Sequence, residues 1–375
     1  MIREEKKIRR IVVSCPSMPS QEEYQKEIAN LWQNHHLTNT GVLHNRLEKE
    51  LANYLGVKHL LLFTNGHTAL EAAIQVFSFP RGSEVITTPF TYISTTQAIL
   101  RSGLVPIFAD IDPKTLSLDP NSVESLISKR TVAILPVHVY GRVGALDAMQ
   151  DLADRYKLKL IYDAAHAFGV KRDGIGIGAA GDLSMFSFHA TKVFNTVEGG
   201  GLTFSDESLL EPLLALRNFG QNKDGKIICP AGNGKMTEFH AAMGLCNLRH
   251  VDDYIHYRLM LAGRYDEAFK EEDLILPLTE QVGVVPNGAY YPIIFKGGQS
   301  QRERVFNRLE LAGISARKYF YPLTNDSRCV GNLIKPGFTP VAAGISDAVL
   351  CLPLHTELSL FDQDRIIACV KENLA

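Results

Sequence analysis

The chain has 375 residues, 45% of them hydrophobic and 21% charged, with a formal net charge of −2. This balance suits an ordinary globular fold and gives no general attraction to nucleic acid or to anionic membranes. No apolar run reaches the length of about 18 residues that a membrane span needs.

The start, MIREEKKIRR, is basic but interrupted by acidic residues, and no apolar stretch with a cleavage site follows. It reads as a solvated N-terminal arm, not a secretory leader. Cys15, Cys229, Cys246, Cys329, Cys351 and Cys369 are scattered without CxxC or CxxH spacing. That predicts no metal site and no disulfide framework, and fits reduced thiols in a cytoplasmic protein.

In chain order, strands are expected at HLLLFT (59–64), EVITTP (84–89), VPIFADI (105–111), TVAILPVHVY (131–140), LKLIYDA (158–164), DLSMFSF (182–188) and GGLTFS (200–205). TALEAAIQVF (68–77) and ALDAMQDLADRYK (145–157), between some of them, have helical periodicity. The alternation predicts an α/β fold with a mostly parallel sheet and helices on its faces. Runs apolar at successive positions suit strands buried on both sides. Near residue 250 the pattern changes. DDYIHYRLMLAGRYDEAFK (252–270) reads as one long helix whose large apolar residues include Tyr254, Leu259, Leu261, Tyr265 and Phe269. A strand at YYPIIF (290–295), a helix at QRERVFNRLELAG (301–313) and a closing helix over 362–372 follow. The expectation is a large domain with the N-terminal arm over 1–250 and a small C-terminal α/β domain over 251–375.

Four places carry chemistry. Asp163 ends the run LKLIY, so it belongs at the C-terminal end of a buried strand, where open α/β sheets bind ligands. A carboxylate there is costly without a cation. It fits a cap on the next turn or the partner of a protonated ring nitrogen, and His166 is placed to turn back toward the same ligand. In GDLSMFSFHATKVFNTVEGGG (181–201) a strand runs into a polar turn holding Ser187, His189, Thr191 and Lys192, and glycines 199–201 permit close backbone approach. Lys192 alone reads as a surface lysine. Its place beside that turn makes it a candidate Schiff-base amine, because desolvation and a cationic cofactor lower a lysine pKa. In TNGHTALEAAI (64–74) a strand meets a helix start near His67 or Thr68, giving either a plain capped turn or free N–H groups for a phosphate. TTPFTYISTT (87–96) presents Phe90 and Tyr92, for the core or for stacking on a heterocycle. Together these supply a phosphate cup, a stacking ring, a carboxylate and an amine, the set that pyridoxal 5′-phosphate (PLP) requires.

At these motifs the chain resembles the DegT/DnrJ/EryC1/StrS family of sugar aminotransferases, from LTNTG (37–41) to LPLHTEL (352–358). DAAHAFG (163–169) and FSFHATKVFNTVEGGG (186–201) carry the likeness most specifically. The resemblance implies the PLP-dependent transferase fold type I. It implies Lys192 as the Schiff-base lysine, Asp163 as partner of the pyridine nitrogen, His166 near the phenolic oxygen and Tyr92 as the stacking ring. It further implies phosphate ligands from Ser187 and the amides of Gly66 and His67. Asn233, in GNGKMTEFHAAMGL (232–245), would serve the neighbouring subunit's site in a homodimer. Many members have Gly-Thr where this chain has Gly66-His67, which leaves the hydroxyl ligand open; Thr68 is one replacement.

The implied reaction moves an amino group from L-glutamate to a keto-sugar nucleotide, for glycan or O-antigen assembly. The motif wording is most like enzymes acting on dTDP-4-keto-6-deoxyglucose, with a 3-keto sugar as runner-up. Lys at 192 favours transamination, since the family's sugar 3-dehydratases have His there. A PLP-dependent dehydratase or epimerase and a non-catalytic regulator are the other readings. RKYFYPL (317–323), with Arg317, Lys318 and Tyr321, is expected to line the sugar-nucleotide entrance.

Overall fold

Seven of the apolar runs pair into one sheet, in the order His59–Phe63, Gly200–Phe204, Leu183–Ser187, Lys159–Asp163, Thr131–Leu135, Glu84–Thr87, Val105–Phe108. Gly200–Phe204 is antiparallel to both its neighbours, and the remaining pairings are parallel. The computed structural model describes residues 10–273, 275–276, 278, 280–327, 330 and 337–374. Most of the expected N-terminal arm, and Cys329, lie outside the described residues.

The strands are apolar at successive positions because both faces of the sheet are covered. Leu61, Phe63, Val85, Ala133, Ile161, Leu183 and Met185 pack on one face with Ala69, Leu70 and Ala73 of the Gly66–Gln75 helix. Leu60, Leu62 and Phe186 pack on the other face around the Val42–Leu55 helix. Thr131–Leu135 is shorter than the run 131–140 suggested. Pro136 lacks an N–H for the ladder, and the chain turns through Val139–Gly141, where Tyr140 has φ 58° and Gly141 φ 80°.

The long helix spans Val251–Phe269 and buries Val251, Arg258, Leu261, Tyr265 and Phe269. Tyr254 and Leu259 are only half-buried. Arg258 takes an inward position instead, with its Nη1 donating to the Leu354 carbonyl at 2.9 Å. A second, antiparallel sheet of Ile275–Leu276, Tyr291–Phe295 and Val349–Leu352 packs with the Gly298–Leu311 and Leu360–Lys371 helices around Tyr265, Val305, Leu309 and Ile366. No helix among the described residues is long and apolar enough to cross a membrane.

Beyond the expected arm, residues 11–17 are docked on the fold. Ile11 N–H donates to the Gly313 carbonyl at 2.9 Å, and Ser315 N–H returns a bond to Ile11 at 2.8 Å. Leu354 N–H donates to the Val13 carbonyl at 3.2 Å. At the other end of this strap, the buried Asn195 side-chain amide donates to the Ser17 carbonyl at 3.0 Å.

Gly200 pairs with both Phe63 and Ser187, so it lies between two strand ends at one edge of the sheet. A Cβ at Gly200 would lie 2.6 Å from Asn65 C and O and from Gly66 N. These are backbone atoms and cannot swing away. Gly200→Ala is therefore expected to destabilise the cofactor-free protein by about 1–3 kcal/mol, the usual cost of overpacking. Thermal unfolding beside wild type checks this; an unchanged midpoint would count against it.

Candidate active site

The carboxyl ends of the central strands, together with residues from beyond 290, enclose a cavity of about 760 Å³. Of the residues singled out in the sequence, Gly66, His67, Tyr92, Asp163, His166, Ser187, Lys192 and Arg317 all line it. The fold brings them together because Asp163 and Ser187 are the last residues of adjacent strands, while Gly66 opens a helix directly after a third.

Asp163 is 4% exposed. Its Oδ2 accepts from the Thr95 hydroxyl at 2.8 Å, and its Oδ1 from the Ala165 N–H at 3.0 Å. Among the described residues it forms no ion pair. Burial raises its pKa, and the two hydrogen bonds and the charge of Lys192 pull it back down.

Lys192 sits in a loop closed on itself. Phe188 N–H donates to the Gly199 carbonyl at 2.8 Å and Thr196 N–H to the Phe188 carbonyl at 2.9 Å. Phe194, buried and stacked on Phe168 at 4.5 Å, anchors the loop to the core. The Lys192 ammonium lies 5.9 Å from the centre of the Tyr290 ring. Desolvation pushes its pKa down to about 8, opposed by Asp163, Tyr319 and Tyr92. A lysine so placed is a usable nucleophile near neutral pH.

The turn at Asn65 is a capped helix start. The Asn65 side chain accepts from Thr68 N–H at 2.8 Å. The amides of Gly66 and His67 are thus left free of the cap, in the first helical turn, where N–H groups have no partner within the helix. The Thr68 amide is engaged by that cap. The His67 side chain reaches sideways, with Nδ1 at 2.8 Å from Ser94 Oγ and Nε2 at 3.5 Å from Glu71. Ser94 also lines the cavity.

Three sequence-predicted residues fall outside this cavity. Lys318 turns away to an ion pair with Glu303 at 2.6 Å and lies over the Phe306 ring. Tyr321 lies under Arg302 and bonds Gln299 at 3.1 Å. Within RKYFYPL, Arg317, Tyr319 and Phe320 line the cavity, while Lys318 and Tyr321 are held by residues of the Gly298–Leu311 helix. Asn233 is exposed on its own chain, bridged by backbone to Asn218.

Sequence reasoning missed Thr95 and Tyr290, and within RKYFYPL it named Lys318 and Tyr321 where Tyr319 and Phe320 line the cavity. Thr95 lies inside TTPFTYISTT, where a hydroxyl that meets Asp163 across the fold has no pattern of its own. Tyr290, Tyr319 and Phe320 line the cavity from the C-terminal half and give it an aromatic wall.

This arrangement fits PLP. Asp163 is a buried carboxylate without a cation, suited to a protonated ring nitrogen; two free amides and Ser187 suit a phosphate; Tyr92, 60% exposed on its own chain, leaves a ring face open to the cavity.

The family model of the DegT/DnrJ/EryC1/StrS aminotransferase family matches residues 19–371. A dTDP-4-amino-4,6-dideoxy-D-glucose transaminase of Shigella dysenteriae is 39% identical, over 96% of this chain and 98% of its own. The structure of DesI solved with its TDP-sugar product superposes with a TM-score of 0.93 at 29% identity, covering 98% of this chain and 93% of that one. The PLP form of Spr1654 from Streptococcus pneumoniae superposes with a TM-score of 0.90 at 26% identity, covering 97% and 98%.

Two outcomes follow from the geometry. Thr95→Val removes the hydroxyl from Asp163 Oδ2, leaving a buried carboxylate oxygen short of a donor, at a cost of about 1–3 kcal/mol. That cost falls on the cofactor-free protein, so its thermal unfolding midpoint should drop beside wild type; an unchanged midpoint would count against the bond. Lys192 is nucleophilic only when deprotonated, so the rate at which the cofactor-free protein takes up PLP should rise with pH and level off above about 8. A rate that falls over that range would contradict the assignment.

Proposed function

The chain belongs to the DegT/DnrJ/EryC1/StrS aminotransferase family, and from that membership we propose that it aminates C4 of dTDP-4-keto-6-deoxyglucose, with L-glutamate as the amino donor. It is a PLP-dependent sugar aminotransferase. The observation that carries the substrate is the 39% identity, along 96% of the chain, to a transaminase named for dTDP-4-amino-4,6-dideoxy-D-glucose. The product would feed glycan or O-antigen assembly. The five described cysteines are free thiols, which supports the cytoplasm as its compartment.

When bound, PLP supplies an electron sink that makes the donor's Cα–H acidic. Asp163 would hold the proton on the ring nitrogen, and the Thr95 hydroxyl and Ala165 amide fix the carboxylate for that task. Lys192 would be the covalent anchor, and its amine, when free, would take the proton from the donor's Cα and give one back, as general base and then acid. The depressed pKa of Lys192 suits both roles near neutral pH. The amides of Gly66 and His67 and the Ser187 hydroxyl would receive the phosphate, and Tyr92 would cover one ring face. His166 would face the phenolic oxygen. Arg317 brings a guanidinium to the cavity and is the substrate-binding residue of the set. Tyr290, Tyr319 and Phe320 exclude water from the far side.

The enzyme works as a homodimer in which Asn233 serves the partner's phosphate site. Exposed apolar residues on the segment before it, Phe219 at 53%, Ile227 at 67% and Ile228 at 57%, support an interface there. The division into a large domain over 1–250 and a small one over 251–375 is supported by the long helix that begins at Val251.

Glutamate and dTDP-4-keto-6-deoxyglucose should yield 2-oxoglutarate and the 4-amino sugar, identified by NMR. Faster turnover of a 3-keto isomer would reassign the position, and loss of water without 2-oxoglutarate would indicate a dehydratase. Asp163→Asn should slow the glutamate half-reaction by at least about 100-fold, the scale of a lost general-acid–base or electrostatic contribution. Lys192→Ala and Asn233→Ala proteins, each inactive alone, should recover roughly a quarter of wild-type activity when refolded together, because half the dimers are mixed and each mixed dimer keeps one intact site. Confirmed mixed dimers with no recovery would show that Asn233 does not serve the partner.

A further inference from the structure

His166 stands at the back of the cavity with one ring nitrogen already committed. Its Nδ1 accepts from the Tyr140 backbone N–H at 3.0 Å. A backbone N–H has only a proton to give, so Nδ1 carries none while this bond stands. The neutral ring then holds its proton on Nε2. The imidazolium needs a proton on both nitrogens and is incompatible with the same bond.

The backbone making this bond is not free to turn. Tyr140 has φ 58°, in the left-handed region that disfavours a residue with a side chain and persists only where the surroundings hold it. Gly141 follows with φ 80°, so close that a Cβ there would lie 2.9 Å from the His166 carbonyl oxygen and 2.8 Å from Asn287 Oδ1. Asn287 is 1% exposed. Its side-chain amide donates to the carbonyls of His166 and Phe168, each at 2.9 Å. The ring itself is packed between Phe320, nearly parallel at 6.0 Å, and Tyr290 at 4.7 Å. Tyr140 and Tyr290 touch it, and Lys192, Asp163, Tyr92, Tyr319, Arg317, His67, His189 and Glu198 are the titratable or charged groups that share its cavity. Burial, reinforced by Lys192, holds the imidazole well below its ordinary range.

We propose that Tyr140, through its amide, and Asn287 are positioning residues that lock His166 as the Nε2–H tautomer, a hydrogen-bond donor into the cavity that takes up no charge. The acceptor such a donor suits is an anionic ring oxygen, the phenolate of PLP; this part rests on the function proposed above. A charged imidazole at that place would compete with Lys192 and with a ring pyridinium for the single negative charge of Asp163. A neutral donor polarises the oxygen without that competition.

The lock is tested without turnover. The protein is labelled with 15N-histidine, freed of cofactor, and examined by two-bond 1H–15N correlation from about pH 5.5 to 9, the range in which an ordinary histidine titrates. His166, assigned by loss of its signals in His166→Gln, is expected to show a protonated Nε2, a bare Nδ1 and no titration. A protonated Nδ1, or a titration step in that range, overturns the proposal. In Asn287→Ala the tautomer should become mixed or begin to titrate; an unchanged spectrum overturns the positioning role of Asn287. In the PLP-loaded protein, the pH midpoint of the cofactor's visible absorbance should move by less than about half a unit in His166→Gln, which keeps an uncharged N–H donor. In His166→Leu it should rise by about one unit or more, and equal shifts in the two variants would remove the donor role. Failure to bind PLP would leave the cofactor-free spectra intact, so the tautomer and the cofactor reading fail separately.

Discussion

A carboxylate without a cation lies at the centre of this protein, and much of the surrounding structure follows from it. Asp163 is buried at the end of a central strand, held by one hydroxyl and one amide. Leaving a charge in such a place costs several kcal/mol unless a positive partner arrives. The fold accepts that cost at an edge where the strand has already buried its neighbours on both faces. A cationic ring bound there would relieve it, so pairing this buried charge would contribute to the cofactor's affinity.

The two halves of the chain contribute in different ways. Residues 64–68 and 163–192 provide groups that bond: amides, a hydroxyl, a carboxylate and an amine. The C-terminal half contributes Tyr290, Tyr319 and Phe320, which close the cavity, and Arg317 at its rim. Low-dielectric aromatic walls strengthen the interaction between Asp163 and anything cationic inside. They also explain why Lys192 has a depressed pKa although its loop is near the surface.

The sequence made the sheet, its mostly parallel sense and the residues at its carboxyl edge legible, because strand periodicity and position in the chain determine them. The burial of Asp163 at the end of LKLIY and the placement of Lys192 after DLSMFSF are of this kind. Thr95 and Asn287 were not legible. Each acts through a contact across the fold, 68 and 121 residues away in the chain, and neither residue type advertises such a role. The inward place of Arg258 was not legible either, for a related reason. A long helix pattern assigns charged residues to solvent, whereas here a guanidinium reaches the Leu354 carbonyl inside the C-terminal core. Lys318 and Tyr321 show the limit of composition: a basic and aromatic stretch marks a region, but partners on a neighbouring helix, Glu303 and Arg302, decide which of its members leave the cavity.

The docked strap over residues 11–17 bears on the order in which the protein is built. Its Val12 carbonyl meets His355, 343 positions later, and its Ser17 carbonyl meets Asn195, 178 positions later. The segment therefore finds these partners only across very long stretches of intervening chain. Contacts of such long sequence separation form late, after the loop-closure entropy has been met. The loop carrying Lys192 is tied to this strap through Asn195, so a contact made across 178 residues adds to the anchor that Phe194 already gives it in the core.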